Sequence, residues 1–436
     1  MTVSRRDVLR ALVVPCLAGL GAAGCGAGDQ TVRVAVVWSG WELSQFIKVM
    51  NAFSERYGYG YSIESMGDDT SAFLSNEVTA DSQPDVALVP QPGLVRSSVA
   101  RLSPVGPQPD APAWRTLLTG PGLRQYGVWF KAAYESMVWH RDDLPAPPRG
   151  WTWDRWVGQC RALARQGRPP LAIGAADGWV LAGWFANVLL SIDPASYRRL
   201  AARYATGRAA GTGPTWDIGS VRQALARLAE LWQIDGAFPG GPEQALVTQF
   251  DQSVLDVFGS RQAAMVMGSD FFWPIITQYT SFPAGRVRWF PFPSNPPEKT
   301  PIIVGGDAAV LFSRSAASPG SRRLISWLAT ADAARIWARA GGFLSINAQV
   351  TGGDYPYPAG MRPAELISAV RRGSPDGRAA AFDLADELGG PLGGGDGHGT
   401  WKIFTDFFTD VAVRRSPVTA AIDKVTSALD GAAGGS

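Results

Sequence analysis

The chain is poor in cysteine, histidine and lysine. Two of its three cysteines, Cys16 and Cys25, fall at the N-terminus, so Cys160 is the single thiol in the body of the 436-residue chain. One thiol cannot form an intrachain disulfide, and the core must hold the fold unaided even in an oxidising compartment. The two histidines, His140 and His398, have no Cys or His neighbours at ligand spacing, so neither a zinc site nor any other metal or cofactor is expected. Only five of the 40 basic residues are lysine, charged residues make up 18%, and the net charge is +2. That balance supplies no basic face able to neutralise a run of phosphates, and nucleic acid is not an expected partner. Long apolar runs are also missing beyond the first 25 residues. The longest, Gly178–Ile192, is interrupted by Asn187 and falls short of the roughly 20 residues a bilayer crossing needs, so it reads as a buried helix. Catalytic signatures are absent as well: there is no G-x-S-x-G elbow, phosphate-binding loop or Cys–His nucleophile pair.

What is present begins with GLGAAGC, Gly19 to Cys25, whose first six residues spell G-x-G-x-x-G. A dinucleotide turn requires a strand before those glycines and a helix after them. Here a basic start, Ser4-Arg5-Arg6-Asp7, and an apolar run precede them, which is the layout of an export signal. Small residues running into Cys25 resemble a bacterial lipoprotein signal, with Ala22 where such signals prefer leucine. The paired arginines resemble a twin-arginine (Tat) signal, with Val8 where phenylalanine is preferred. The expected organisation is a signal peptide over 1–24 and a lipidated Cys25 with its spacer over 25–31.

The mature chain alternates strand and helix patterns. VRVAVVW (32–38) reads as a buried strand, and the next segment places Leu43, Phe46, Ile47, Met50 and Phe53 at helical spacing before Gly58. A strand near 61–64, a helix over 72–78 and the strand DVALVP (85–90) complete an open α/β pattern. Ligands in such sheets sit at the carboxyl ends of strands. The segments reaching those ends are Ser39-Gly40-Trp41-Glu42, Gly67-Asp68-Asp69 and Gln91-Pro92-Gly93. A second alternating region starts near ESMVWH (135–140), where Trp153, Trp156, Val157, Cys160 and Leu163 share one helix face, so Cys160 reads as a core thiol.

PDVALVPQPG (84–93), YGVWFKAAYESMVWH (126–140), AAMVMGSDFFW (263–273), GGDAAVLF (305–312) and GGFLSINAQV (341–350), in this order, resemble landmark segments of extracellular solute-binding lipoproteins of ABC importers, in the carbohydrate-binding branch similar to maltose-binding protein. The resemblance implies a type II periplasmic-binding-protein-like α/β fold: two lobes, a hinge and an interlobe ligand cleft. Lobe 1 would comprise 32–132 and 303–345, and lobe 2 would comprise 133–302 and 346–436, with crossings near 131–135, 302–305 and 344–348. It further implies a monomeric binder, not an enzyme, held by its lipid at the extracytoplasmic face of the cell membrane. Its partners would be a carbohydrate ligand and the permease subunits with their cytoplasmic ATPase.

A sugar site needs carboxylates or amides for hydroxyls and aromatic platforms for C–H faces. The aromatic candidates are Trp41, Trp184, Trp273 and Trp401, which lie beside turns or polar groups, whereas Trp153, Trp156, Trp232, Trp327 and Trp337 fit helix cores. The acidic candidates are Glu42, Asp69, Asp270, Asp307 and Asp396, each with a solvated-turn or helix-dipole alternative. Lys131 and Glu135 bracket the first crossing and suit either an ion pair or ligand contact. A secreted glycan-acting hydrolase is the competing class, but adjacent pairs such as Asp68-Asp69 or Asp142-Asp143 cannot flank one bond at about 5 to 9.5 Å separation. A lipoprotein scaffold without a small ligand is a third.

Replacing the acylated thiol tests the anchor. Cys25→Ser is expected to shift the protein from the membrane fraction to the soluble fraction or to stall its processing; an unchanged membrane fraction with an unmodified Cys25 peptide by mass spectrometry rules the anchor out.

Overall fold

The computed structural model describes residues 31–67, 74, 83–108, 112–144, 150–205, 215–296, 300–372, 380–389, 392–393 and 399–434. The export signal, Cys25, Asp69, Asp396, His398 and most of the helix expected over 72–78 lie outside the described residues.

The apolar segments near the start build a β-α-β unit. Strand β1 (Thr31–Val36) buries Val32, Val34, Ala35 and Val36, and the helix Gly40–Tyr57 covers it with Phe46, Val49, Met50 and Phe53, one stripe at helical period. That helix ends where the spacing predicts. Gly58 adopts a left-handed φ of 74° and its N–H bonds the Ser54 carbonyl at 2.8 Å. Strands β2 (Gly60–Ser65) and β3 (Val86–Val89) pair with β1 in parallel on its two edges.

The chain then runs through β4 (Val128–Tyr134) and, after two residues, into β5 (Met137–Arg141). That short passage leads from one sheet to another. β5 lies between β7 (Met265–Gly268) and β8 (Val287–Pro291), both antiparallel to it, while β6 (Leu171–Ala172) pairs with β7 in parallel. Both faces of this sheet are covered. Met137 and Trp139 pack into one core and Val138 into the other, as the period-two geometry of a strand requires. The helix Gly178–Ile192 is buried nearly all round, between the helices Gly219–Trp232 and Thr400–Phe408. The helix Trp153–Arg165 buries Trp153, Trp156, Val157, Cys160 and Leu163, and burial pushes the Cys160 thiol up, away from reactivity.

Strand β9 (Ile302–Leu311) returns the chain to the first sheet and is buried along its whole length. One edge pairs antiparallel with β4; the other pairs with β3 through 308–311 and in parallel with β10 (Ala380–Phe382) through 302–304. The first sheet is therefore mixed.

One expected boundary falls elsewhere. The last passage between lobes is expected near 344–348, with all that follows in lobe 2, yet β10 joins the first sheet. Leu344 exchanges backbone hydrogen bonds with Ala132 at 2.8 and 3.0 Å, which keeps this segment against β4. Ile346, Val350, Tyr355, Tyr357, Leu366 and Val370 then enter an apolar core that holds side chains from both sheets, Trp139 and Trp289 among them, and the Tyr357 hydroxyl bonds Asp270 at 3.1 Å. β10, expected in lobe 2, pairs with β9 in the first sheet instead.

Trp156 is completely buried and stacks on Trp184 at 5.8 Å with an 18° interplanar angle. Trp156→Ala is expected to cost about 3 to 5 kcal/mol of stability through transfer and cavity terms, read as a lower denaturant midpoint at unchanged slope; a loss below about 1 kcal/mol contradicts the core assignment.

Candidate ligand-binding cavity

Where the two sheets face each other, the described residues border a cavity of about 210 Å³. The first sheet lines it from the carboxyl ends of its strands: Val37 and Trp38 after β1, Pro90 and Gln91 after β3, and Lys131 on β4 with Gly306 and Asp307 on β9. The opposite wall carries Trp179, Phe250, Phe271 and Trp401. Trp179 meets Phe250 at 5.3 Å and Phe271 at 6.0 Å, which forms an apolar platform of the kind that covers C–H faces. Glu135, from the two-residue passage, and Asp383 and Asp386, from the segment after β10, close the end between the lobes.

Backbone fit determines this end. A Cβ on Gly305 would lie 2.0 Å from a Glu135 carboxylate oxygen, and one on Gly306 would lie 2.4 Å from the Lys131 carbonyl, so only glycine lets β9 run this close to β4. Asp383 caps the helix Leu384–Glu387 by accepting from the N–H groups of Ala385 and Asp386 at 2.9 and 3.3 Å. That turn places Asp386 on the cavity wall.

Charge is lopsided. Lys131 is the only basic side chain on the wall among the described residues, against the carboxyls of Glu42, Glu135, Asp307, Asp383 and Asp386. Its ammonium is already engaged, with Glu42 at 2.5 Å and the rings of Phe271, Trp337 and Trp38 at 5.0, 5.2 and 5.7 Å. Burial alone would depress its pKa, but the charges of Glu42, Asp307 and Asp270 together hold it above the ordinary lysine value. For the other acids burial outweighs the attraction of Lys131, which reaches Asp307 and Glu135. Burial raises Asp307 and Asp383 each to about 6. Burial, reinforced by neighbouring carboxylates, holds Glu135 and Asp386 well above the usual range.

The structure separates the expected site residues. Glu42, Asp307 and Trp401 lie on the cavity wall. Trp184, Asp270 and Trp273 do not, which corrects the expectation for all three. Trp184 is fully buried against Trp156. Asp270 has no exposed surface, and its carboxylate accepts from the Tyr134 N–H at 2.8 Å, the Tyr357 hydroxyl at 3.1 Å and the Ser269 hydroxyl at 3.3 Å, so it ties β7 to the passage between sheets. Trp273 is 4% exposed and meets Tyr357 edge-on at 6.0 Å. Trp41 is half-buried against the lobe 1 core and also lies off the wall. The ion pair considered between Lys131 and Glu135 is instead Lys131–Glu42. Sequence reasoning missed Trp179, Asp383 and Asp386; it placed Gln91 in a strand-end segment without naming it a candidate and left Glu135 between ion pair and ligand contact, and both line the wall. The N-cap signal of Asp383 was readable; its proximity to Glu135 was not.

An open cavity lined by acids and aromatic rings at the junction of two α/β lobes defines a two-lobed ligand-binding protein. The chain matches the model of the bacterial extracellular solute-binding protein family over residues 41–335 and belongs to that family. It is a binding protein, not an enzyme. It is 25% identical to the osmoprotective compounds-binding protein GgtB of Synechocystis over 396 residues, covering 86% of this chain and 88% of that one. It is 24% identical to the alpha-glucosides-binding periplasmic protein AglE of Rhizobium meliloti, covering 87% and 83%. A solved structure from work on xylan utilisation by Caldanaerobius polysaccharolyticus superposes with a TM-score of 0.72 at 14% identity, over 91% of this chain and 99% of that one. No helix among the described residues is long and apolar enough to cross a membrane.

The buried acids carry a stability signature. Their folded pKa values lie above the unfolded value near 3.8, at about 6 for Asp270, Asp307 and Asp383. The folded state thus holds protons that the unfolded chain has released, and this contribution is complete below about pH 4 and lost as pH rises through about 6. His140 opposes it: burial holds the ring neutral down to about 4 against 6.5 unfolded, so its contribution is lost as pH falls. One histidine is outnumbered by the raised carboxyls. The ligand-free protein is expected to melt at a higher temperature at about pH 5.5 than at about pH 7.5, with Asp386→Asn flattening the difference. A scanning-calorimetry series with the opposite slope contradicts the cluster.

Proposed function

We propose that this chain is the lipid-anchored receptor of an ABC importer and that its cavity captures a small sugar derivative, which closure about the interlobe passage encloses for delivery to the permease. The observation that carries the reading is the wall itself. Indole and phenyl faces lie opposite carboxylates, the pairing that suits a ring with C–H faces and polar edges. The names of the curated relatives, for alpha-glucosides in one case and osmoprotective compounds in the other, agree with a small polyol.

The charge excess narrows the class. Phosphorylated or acidic sugars would bring an anion among five carboxyls with Lys131 as the one basic side chain on the wall among the described residues. A ligand bearing an amine supplies the missing cation. Charge-assisted hydrogen bonds contribute about 1.5 to 3 kcal/mol each, so one ammonium is worth roughly 10-fold to 150-fold in affinity. Closure is favoured because Trp401 and Asp307 approach the ligand from opposite walls and only the closed form lets both make contact.

Calorimetry on matched pairs tests this: glucose with glucosamine, and cellobiose with the free-amine disaccharide of glucosamine. The amine-bearing member is expected to bind at least about 10-fold tighter, and its affinity to fall with added salt. Neutral members that bind as well remove the amine and leave the sugar. A panel in which neither member of any pair binds rejects the carbohydrate reading.

A further inference from the structure

The cavity wall is rich in hydrogen-bond acceptors, its carboxyl oxygens foremost. Its donors are mostly engaged: the Lys131 ammonium with Glu42, the Trp38 indole with Asp307, and the Ser269 hydroxyl with Asp270. Two buried side-chain N–H groups on the wall have no partner among the described residues, Gln91 Nε2 and Trp401 Nε1. Gln91 is 2% exposed, so bulk water does not solvate its amide. A buried donor without a partner is costly and calls for an explanation at its site.

Ligand chemistry supplies one. Sugar hydroxyls and ammonium groups can donate, so an acceptor-rich wall satisfies them in many orientations. The ring oxygen can only accept, so it must face a donor, and an amide N–H is one that does not depend on the protonation of the wall carboxyls. Of the two free donors, Gln91 is the better held: it precedes the helix Pro92–Ser97 at the carboxyl end of β3, and its carbonyl accepts from the Val95 N–H at 3.2 Å. Trp401 is only half-buried, and its ring face is what the cavity uses.

We infer that Gln91 is the specificity-determining donor that reads the ring oxygen of the bound sugar and thereby fixes which edge faces Glu135, Asp383 and Asp386. The inference rests on the carbohydrate reading above.

The test compares the tightest-binding sugar of the matched-pair panel with its carbocyclic counterpart, in which CH2 replaces the ring oxygen. The wild-type protein is expected to prefer the ring oxygen by roughly 10-fold, the scale of one net hydrogen bond. Gln91→Leu should weaken the sugar by a similar factor, leave the carbocycle as it was, and so abolish the preference. Gln91→Met keeps the length of the side chain while removing the donor, and it should abolish the preference too. It decides the matter where the leucine variant does not fold, with melting temperature checking each. A preference that survives in a folded variant, or an equal loss for both ligands, overturns the inference while leaving the carbohydrate reading intact. No binding by the wild-type protein to any panel sugar counts against that reading and against this inference with it.

Discussion

The placement of Lys131 is the constraint on which the cavity depends. It sits on β4, directly opposite Asp307 of β9, after a register shift between Trp129 and Lys131. Irregularities of this kind re-aim a side chain, and here the ammonium sits among Glu42, Asp307 and three aromatic rings from both walls. A buried ammonium is tolerated only where opposite charge surrounds it. The same cation lowers the cost of ionising Asp307, Asp270 and Glu135. Without it the acids at the sheet junction would have no counter-charge at all.

The acids that remain show how function opposes stability here. Glu135, Asp383 and Asp386 come from segments far apart in the chain, yet they meet at the narrow end of the cavity, each with its carboxyl raised. Among the described residues none forms an ion pair with them, and only Glu135 feels the Lys131 charge. Gly305 and Gly306 have the same character, since their missing Cβ atoms let β9 approach Glu135 and the β4 backbone while giving up the stiffness a larger residue would bring. A binding protein gains from leaving such groups incompletely satisfied, because ligand then supplies what the fold lacks.

Much of the fold was legible. The alternation of β1, its helix and β3, the Gly58 stop and the tryptophan stripe of Trp153–Arg165 follow from local periodicity, and each occurs where the pattern puts it. The candidate site was legible in part. Glu42 and Asp307 stood at strand ends, where topology sends ligands, and both reach the wall. Asp270 stood at a strand end as well, yet its carboxylate serves the Tyr134 N–H and the Tyr357 hydroxyl, 136 and 87 residues away in sequence. Trp184 and Trp273 failed for a related reason: a tryptophan beside polar residues has the same local pattern whether it faces a cleft or a core.

The sequence alone determined the class of elements, the two α/β regions and the isolation of Cys160, because these depend on period, spacing and composition within short windows, while the likeness to solute-binding proteins rested on landmark segments in order. Only the tertiary structure decided that β10 joins the first sheet, that Lys131 pairs with Glu42, and that Glu135, Asp383 and Asp386 line one cavity with Gln91. Those outcomes depend on strand register and on which of several apolar segments wins a place against a shared core. Both are settled by long-range burial and hydrogen-bond pairing, which no local stretch of chain encodes.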